Sequence, residues 1–352
     1  MTTVFNYNQP FKLESGVTLP GYHLAYTTHG RLNAAKDNVV WIFHALTANS
    51  NPLEWWPGLV GEGKFIDPAR YFIICVNKPG SPYGSISPLS INPATHQPWY
   101  HEFPVLTIRD MAKMYQHLKN ELGLQRIFLA LGGSTGGMQL LEWAIEEPDL
   151  FEHIVPIVTN AALSSWAIAF NASQRMAIEA DSTWQEHRPD AGQKGLAAAR
   201  SIAVLSYRHY NGYDITQSRD KSFVPLTPDV TYAADNYQRY QGLKLVNRFN
   251  AICYYRLSQS MDSHDVGLNR GSVEEALKLI RAKALVIGIV SDVLYPISEQ
   301  EFLQQHIPQA TLLAIASDFG HDGFLLEYEK IEAALRKFIG DRFASNLKIA
   351  TG

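Results

Sequence analysis

Short runs of nearly continuous hydrophobicity alternate with helix-length stretches through the first half of the chain, and few architectures accommodate that alternation. The runs are Val39–His44, Tyr71–Asn77, Arg126–Leu131 and His153–Val158. Between them lie helical patterns at Ile108–Leu122 and Met138–Glu147. A strand with no polar face must be covered on both sides, which is the condition of a parallel sheet sandwiched by helices. Pro156 argues against a central place for the last run, since proline donates nothing to a ladder. From about Ser164 to Leu268 the strand-like runs stop, and the pattern turns helical over Trp166–Ala180, Leu196–Arg208 and Asn236–Ser260. The alternation then resumes with a helix at Val273–Arg281, strands at Ala284–Val290 and Thr311–Ile315, and a last helix over Tyr328–Ile339. The expectation is an α/β fold with a mostly parallel sheet, helices on both faces and an inserted helical lid. Residues 1–163 and 273–352 form the two parts of the core, and 164–272 the insertion.

One turn in this pattern carries chemistry. The strand ending at Leu131 runs into Gly132-Gly133-Ser134-Thr135-Gly136 and then into a helix. A serine on a sharp strand-to-helix turn has strained backbone angles and needs small neighbours. In return its Oγ is exposed, and the next amide and the helix N-terminus favour a developing negative charge. The bland alternative is a glycine-rich turn that merely closes the chain. A dinucleotide site fits poorly, because the glycines do not follow G-x-G-x-x-G.

A nucleophilic serine requires a base and a group to orient it, and in this type of sheet they follow in the order Ser, acid, His. Asp292 follows the strand Ala284–Val290, and His321 follows the next strand, within Phe319-Gly320-His321-Asp322-Gly323. Taken singly, Asp292 is as plausible a helix N-cap and His321 a surface residue. Their order and place at strand ends make Ser134, Asp292 and His321 the expected triad. The oxyanion donors are then the amides of Thr135 and of Leu46, in the loop His44-Ala45-Leu46-Thr47. His44 itself reads as a structural hydrogen-bonder.

Composition excludes other classes. With 46% hydrophobic and 18% charged residues the chain is too apolar for disorder. A net charge of −4 without dense Lys/Arg runs gives no footprint for nucleic acid. Neither a signal-peptide pattern nor an apolar run of the ~20 residues needed to span a bilayer is evident, so no membrane partner is expected. The two cysteines, Cys75 and Cys253, read as buried free thiols, which suits a cytoplasmic location. Met261-Asp262-Ser263-His264-Asp265 holds ligand-type side chains but no matching pair elsewhere, so no metal is expected.

From Tyr26 to Leu326 the chain resembles the homoserine O-acyltransferase family of the α/β-hydrolase superfamily. The blocks that carry the resemblance include Tyr26–Asn33, His44–Thr47, Trp55–Gly61, Gly84-Ser85 with Ser90–Thr95, Phe103–Met111 and Gly132–Gln139. Later blocks are Ala169-Phe170-Asn171 with Gln174-Arg175, Ser206-Tyr207-Arg208, Ser291–Pro296 and Gly320-His321-Asp322. The resemblance implies an α/β-hydrolase fold and a cytoplasmic homodimer joined through the lid, serving methionine biosynthesis. It implies ping-pong acyl transfer through a Ser134 acyl-enzyme, with no bound cofactor and acetyl-CoA as co-substrate. Arg208 and Asp322 would hold the carboxylate and ammonium of the acceptor, homoserine. Thr135 stands where the family usually has Met, Pro82 where Cys is common, and Ser87 where Gly is common. Asn250 and Cys253 stand where Asp and Ser are usual, and His209–Asp214 follows the family pattern poorly. These departures spare the triad and fall mainly in loops that shape the pocket. The alternatives are therefore an esterase or thioesterase with the same triad, serine as acceptor, or succinyl-CoA as donor.

Overall fold

The apolar runs become the centre of one eight-stranded sheet. The computed structural model describes residues 2–340, so the end of the 273–352 segment, and Met1, lie outside the described residues. In chain order the principal elements are β1 (Thr2–Tyr7), β2 (Tyr22–His29), β3 (Val39–Phe43), β4 (Phe72–Val76), α1 (Ile108–Glu121), β5 (Ile127–Gly133), α2 (Thr135–Glu146) and β6 (Phe151–Ile157). Five helices follow: α3 (Ser165–Glu179), α4 (Gln193–Tyr207), α5 (Tyr210–Thr216), α6 (Ala233–Val246) and α7 (Ala251–Asp262). The sheet is completed by β7 (Lys283–Ile289) and β8 (Ala310–Ile315), with α8 (Ile297–His306) between them and α9 (Tyr328–Ile339) after them.

The spatial order is β1-β2-β4-β3-β5-β6-β7-β8. β2 runs antiparallel to both its neighbours, and the other pairings are parallel. Every residue of β3 and β5 is buried. Successive side chains point to opposite faces: Trp41 enters the core beneath α1 and α2 with Trp143, while Ile42 enters the core beneath α9 with Ile331 and Leu335. α1 starts where its sequence says it should. Thr107 Oγ1 accepts from the Asp110 amide and Asp110 accepts from the Thr107 amide, a reciprocal cap.

Several expectations are corrected here. β6 is a central strand despite Pro156, which lies opposite Gly132 of β5. The register with β7 is carried by His153, Ile154 and Ile157, so the missing donor costs that ladder nothing. The stretch Asn236–Ser260 is two helices, not one. Asn250 breaks it by capping α7, its side chain accepting from the Cys253 amide at 3.0 Å. The helix after Ser272 is shorter than its pattern and ends at Leu277. β1 and β2 are additional strands that no apolar run announces.

Candidate active site

Ser134 is the single residue between β5 and α2, at φ 56° and ψ −125°. A positive φ is costly for a residue with a Cβ, so its surroundings must hold it there. The Ser134 amide donates to Ile157 O at 2.9 Å, and its carbonyl accepts from the Gly137 amide at 2.9 Å. The flanking glycines serve close approach. A Cβ on Gly132 would lie 2.4 Å from Gly136 O, and one on Gly136 would lie 2.2 Å from Phe43 O.

The structure brings Asp292 and His321 together from two other loops. Asp292 leaves the end of β7, and its Oδ1 accepts from the amides of Leu294 (2.8 Å) and Tyr295 (3.0 Å). Its Oδ2 lies 2.6 Å from His321 Nδ1, with the Asp292 side chain wholly shielded from solvent. A carboxylate accepts, so the imidazole proton sits on Nδ1 and Nε2 is left as the basic nitrogen. The His321 ring packs against Tyr207, Tyr295 and Phe324 at 5.2–6.0 Å between centroids. Ser134, His321, Asp322 and Leu46 line one cavity of about 390 Å³.

Neither the Leu46 nor the Thr135 amide meets a hydrogen-bond acceptor among the described residues. The loop that carries Leu46 is pinned through His44. Its Nδ1 donates to Ala45 O at 2.7 Å, and its Nε2 accepts from the Lys78 amide at 2.9 Å. Full burial, with Lys78 nearby, pushes the His44 pKa down to about 3, so the ring stays neutral. That is a structural part.

The acceptor-binding pair expected from sequence is arranged differently. Arg208 forms an ion pair with Asp322, and its Nη2 also donates to Tyr237 Oη at 2.9 Å. Asp322 reaches the cavity wall, whereas Arg208 is not among the residues that line it. Arg208 caps α4 in extended conformation, and the chain turns away there. Two other arginines line the cavity. Arg248 is held by the Thr47 carbonyl and by Tyr83 Oη. Arg200 lies 5.3 Å over the Tyr207 ring and has no ion-pair partner among the described residues. Spacing holds a signal for it, because Arg200 and Tyr207 are two turns apart on one helix face. The ligand-type residues near the end of α7 are taken up by the fold. Asp262 pairs with Arg175 at 2.6 Å, His264 Nε2 meets Asn160 O at 2.9 Å, and Asp265 accepts from the Gly267 amide at 2.8 Å. Among the described residues no helix is long and apolar enough to cross a membrane.

Known proteins share this fold. The family model of the alpha/beta hydrolase fold matches residues 38–328. The homoserine O-acetyltransferase of Cyclobacterium marinum is 46% identical over 340 residues, 95% of this chain and 94% of that protein. The crystal structure of homoserine O-acetyltransferase from Bacillus anthracis superposes with a TM-score of 0.86 at 26% identity, covering 97% of each chain. The L374D mutant of esterase E22 superposes equally well, with a TM-score of 0.86 over 97% of this chain and all of that one. At 24% identity it speaks for the fold alone. The chain has the α/β-hydrolase fold and belongs to the homoserine O-acetyltransferase family of acyltransferases.

Proposed function

We propose that this chain moves an acetyl group from acetyl-CoA to the hydroxyl of homoserine, in two half-reactions through Ser134. His321 Nε2 takes the Ser134 proton as Oγ attacks the thioester carbonyl. The resulting oxyanion is received by the Leu46 and Thr135 amides. Collapse breaks the C–S bond, and His321 returns the proton to the departing thiolate, giving free CoA. In the second half the homoserine hydroxyl attacks the acyl-enzyme and its proton passes to His321. Collapse then releases O-acetylhomoserine and restores Ser134 with that proton. Asp292 keeps Nδ1 protonated and stabilises the imidazolium throughout. The observation that carries this reading is the shared cavity. It holds a serine on a strained turn, a histidine oriented by a shielded carboxylate, and the loop of Leu46, whose amide, like that of Thr135 next to the serine, meets no acceptor among the described residues.

The cavity also supports an amino-acid acceptor. Arg200 is a guanidinium on the wall with no carboxylate partner among the described residues, suited to the substrate's carboxylate. Asp322 faces the same space for the ammonium, and Arg208 holds Asp322 in position. The helices α3–α7 act as the lid over 164–272, delaying water until the acceptor arrives. Exposed apolar side chains on this segment, among them Leu205, Ile215 and Leu243, suit a homodimer joined through it.

Fold alone does not choose the acceptor, since an esterase shares it. The test supplies acetyl-CoA with and without homoserine, follows free CoA, and identifies the product by mass. Homoserine-dependent CoA release with O-acetylhomoserine as product is expected. CoA release indifferent to homoserine and yielding only acetate moves the assignment to a hydrolase. Serine and succinyl-CoA, run as alternative acceptor and donor, are expected to be the poorer pair.

A further inference from the structure

Lys78 is one of the most buried side chains of the protein, at 1% exposure, and among the described residues it has no carboxylate partner. Burying an ammonium is expensive, and its attraction to an anion ordinarily offsets the cost. Here the Lys78 contacts run to two neutral oxygens. Its Nζ donates to His44 O at 3.0 Å and to Gln139 Oε1 at 2.9 Å. Its backbone amide donates to His44 Nε2 at 2.9 Å.

These partners belong to the two elements that must agree for an oxyanion to be bound. His44 opens the loop that carries the Leu46 amide. Gln139 lies on α2, five residues beyond Ser134 and four beyond Thr135. The glutamine is fixed in turn, its Nε2 donating to Tyr115 Oη at 3.0 Å. We propose that Lys78 is a positioning residue for the reaction: its ammonium bridges the loop after β3 to α2 and so sets the spacing between the Leu46 and Thr135 amides. This rests on the assignment of those amides as the oxyanion donors. The packing is consistent with a fixed spacing, since Gly136 already lies against Phe43 O with no room for a Cβ. Burial pushes the Lys78 pKa down to about 7, and the amine donates to both oxygens whether or not it carries the third proton.

Lys78→Met keeps the volume of the side chain and removes the bridge. The reporter is acylation of Ser134 by p-nitrophenyl acetate, read as the pre-steady-state burst, which needs no homoserine. The bridge predicts a loss of about ten- to a hundred-fold in the acylation rate constant, with the apparent dissociation constant of the ester unchanged. Gln139→Met should cause a similar loss, and the double variant should lose little more than either alone, because one bridge is cut from its two ends. Far- and near-UV circular dichroism establish that the variants are folded, and if Lys78→Met does not fold, Gln139→Met carries the same test. A folded variant acylating within two-fold of wild type overturns the proposal. So do two losses that simply multiply. Absence of a burst from the wild-type chain is a different result, since it removes the Ser134 acyl-enzyme itself.

Discussion

The turn at Ser134 and the helical segment after β6, through Arg200, Tyr207 and Arg248, face the same cavity, but they place their side chains by different means. At the turn, backbone contacts fix the nucleophile and the acid that orients its base. Ser134 is held at positive φ by a strand neighbour, Gly136 by the approach of β3, and Asp292 by two amides of its own loop. In the helical segment the relevant groups are the ends of long side chains. Arg200 rests on an aromatic ring, and Arg208 is held by Asp322 and a tyrosine hydroxyl. A backbone-fixed site has few ways to vary without losing the chemistry. A site built from arginine tips can exchange partners while the fold stays the same. Under the proposed function, bond making belongs to the sheet and acceptor choice to the helices.

Variants of the turn and its partners should show the larger effects. Ser134→Ala should cost about a million-fold in kcat, and adding His321→Ala should cost little more, because the residues act as a unit. Asp292→Asn preserves the shape but favours the wrong imidazole tautomer, and should cost about 10³–10⁴ in kcat with a small change in KM. Steady-state kinetics on folded variants check both. A loss for Asp292→Asn that falls on KM alone would break the comparison, since it would turn a backbone-fixed catalytic group into a binding group.

The same contrast explains what the sequence disclosed. The turn was legible because its chemistry restricts residue type at each position and because Asp292 and His321 must follow in order at strand ends. The strands at the centre of the sheet were legible because burial on both faces leaves no polar alternation. β1 escaped notice because it is an edge strand with mostly exposed or half-exposed side chains. In the helical segment, periodicity located α3 and α4 but missed α5 and the break at Asn250, and it gave no direction for the side chains. Arg200 and Arg208 fall in the same helical stretch, and only the folded cavity, lined by Arg200 and not by Arg208, separates them. Lys78 gave no signal at all, since a lysine in a loop is ordinarily read as solvated.

Changes in the helical segment should be intermediate in size and should fall on binding. Arg200→Ala removes a charge-assisted contact to the acceptor's carboxylate and should raise the KM for homoserine by about ten- to a hundred-fold. Acylation by acetyl-CoA should be unaltered. Arg208→Ala should raise that KM by less, about several-fold, because it acts only through the position of Asp322. Measuring both half-reactions for each variant sharpens the comparison. The reverse ranking would return the carboxylate to Arg208 and remove Arg200 from the acceptor site.

The smallest effect expected is one on stability, and it belongs to the buried groups beneath the turn. His44 is held neutral in the folded chain, with a pKa of about 3 against an ordinary 6.5. Below pH 6.5 the unfolded chain takes up a proton that the folded chain refuses, so stability present above 6.5 is lost as pH falls toward 3. Lys78 has a folded pKa of about 7 against an ordinary 10.5, so the unfolded chain binds more protons between those values and stability rises with pH across that window. Each group contributes a slope of at most about 1.4 kcal/mol per pH unit within its window. Urea unfolding of wild type and Lys78→Met between pH 7 and 9 isolates the lysine. Relative to the variant, wild type should gain about 1 kcal/mol for each pH unit of rise, with the same slope of free energy against urea. A pH-independent difference would mean that Lys78 is buried without losing its proton readily, and that the charge beneath the turn is held as firmly as the backbone above it.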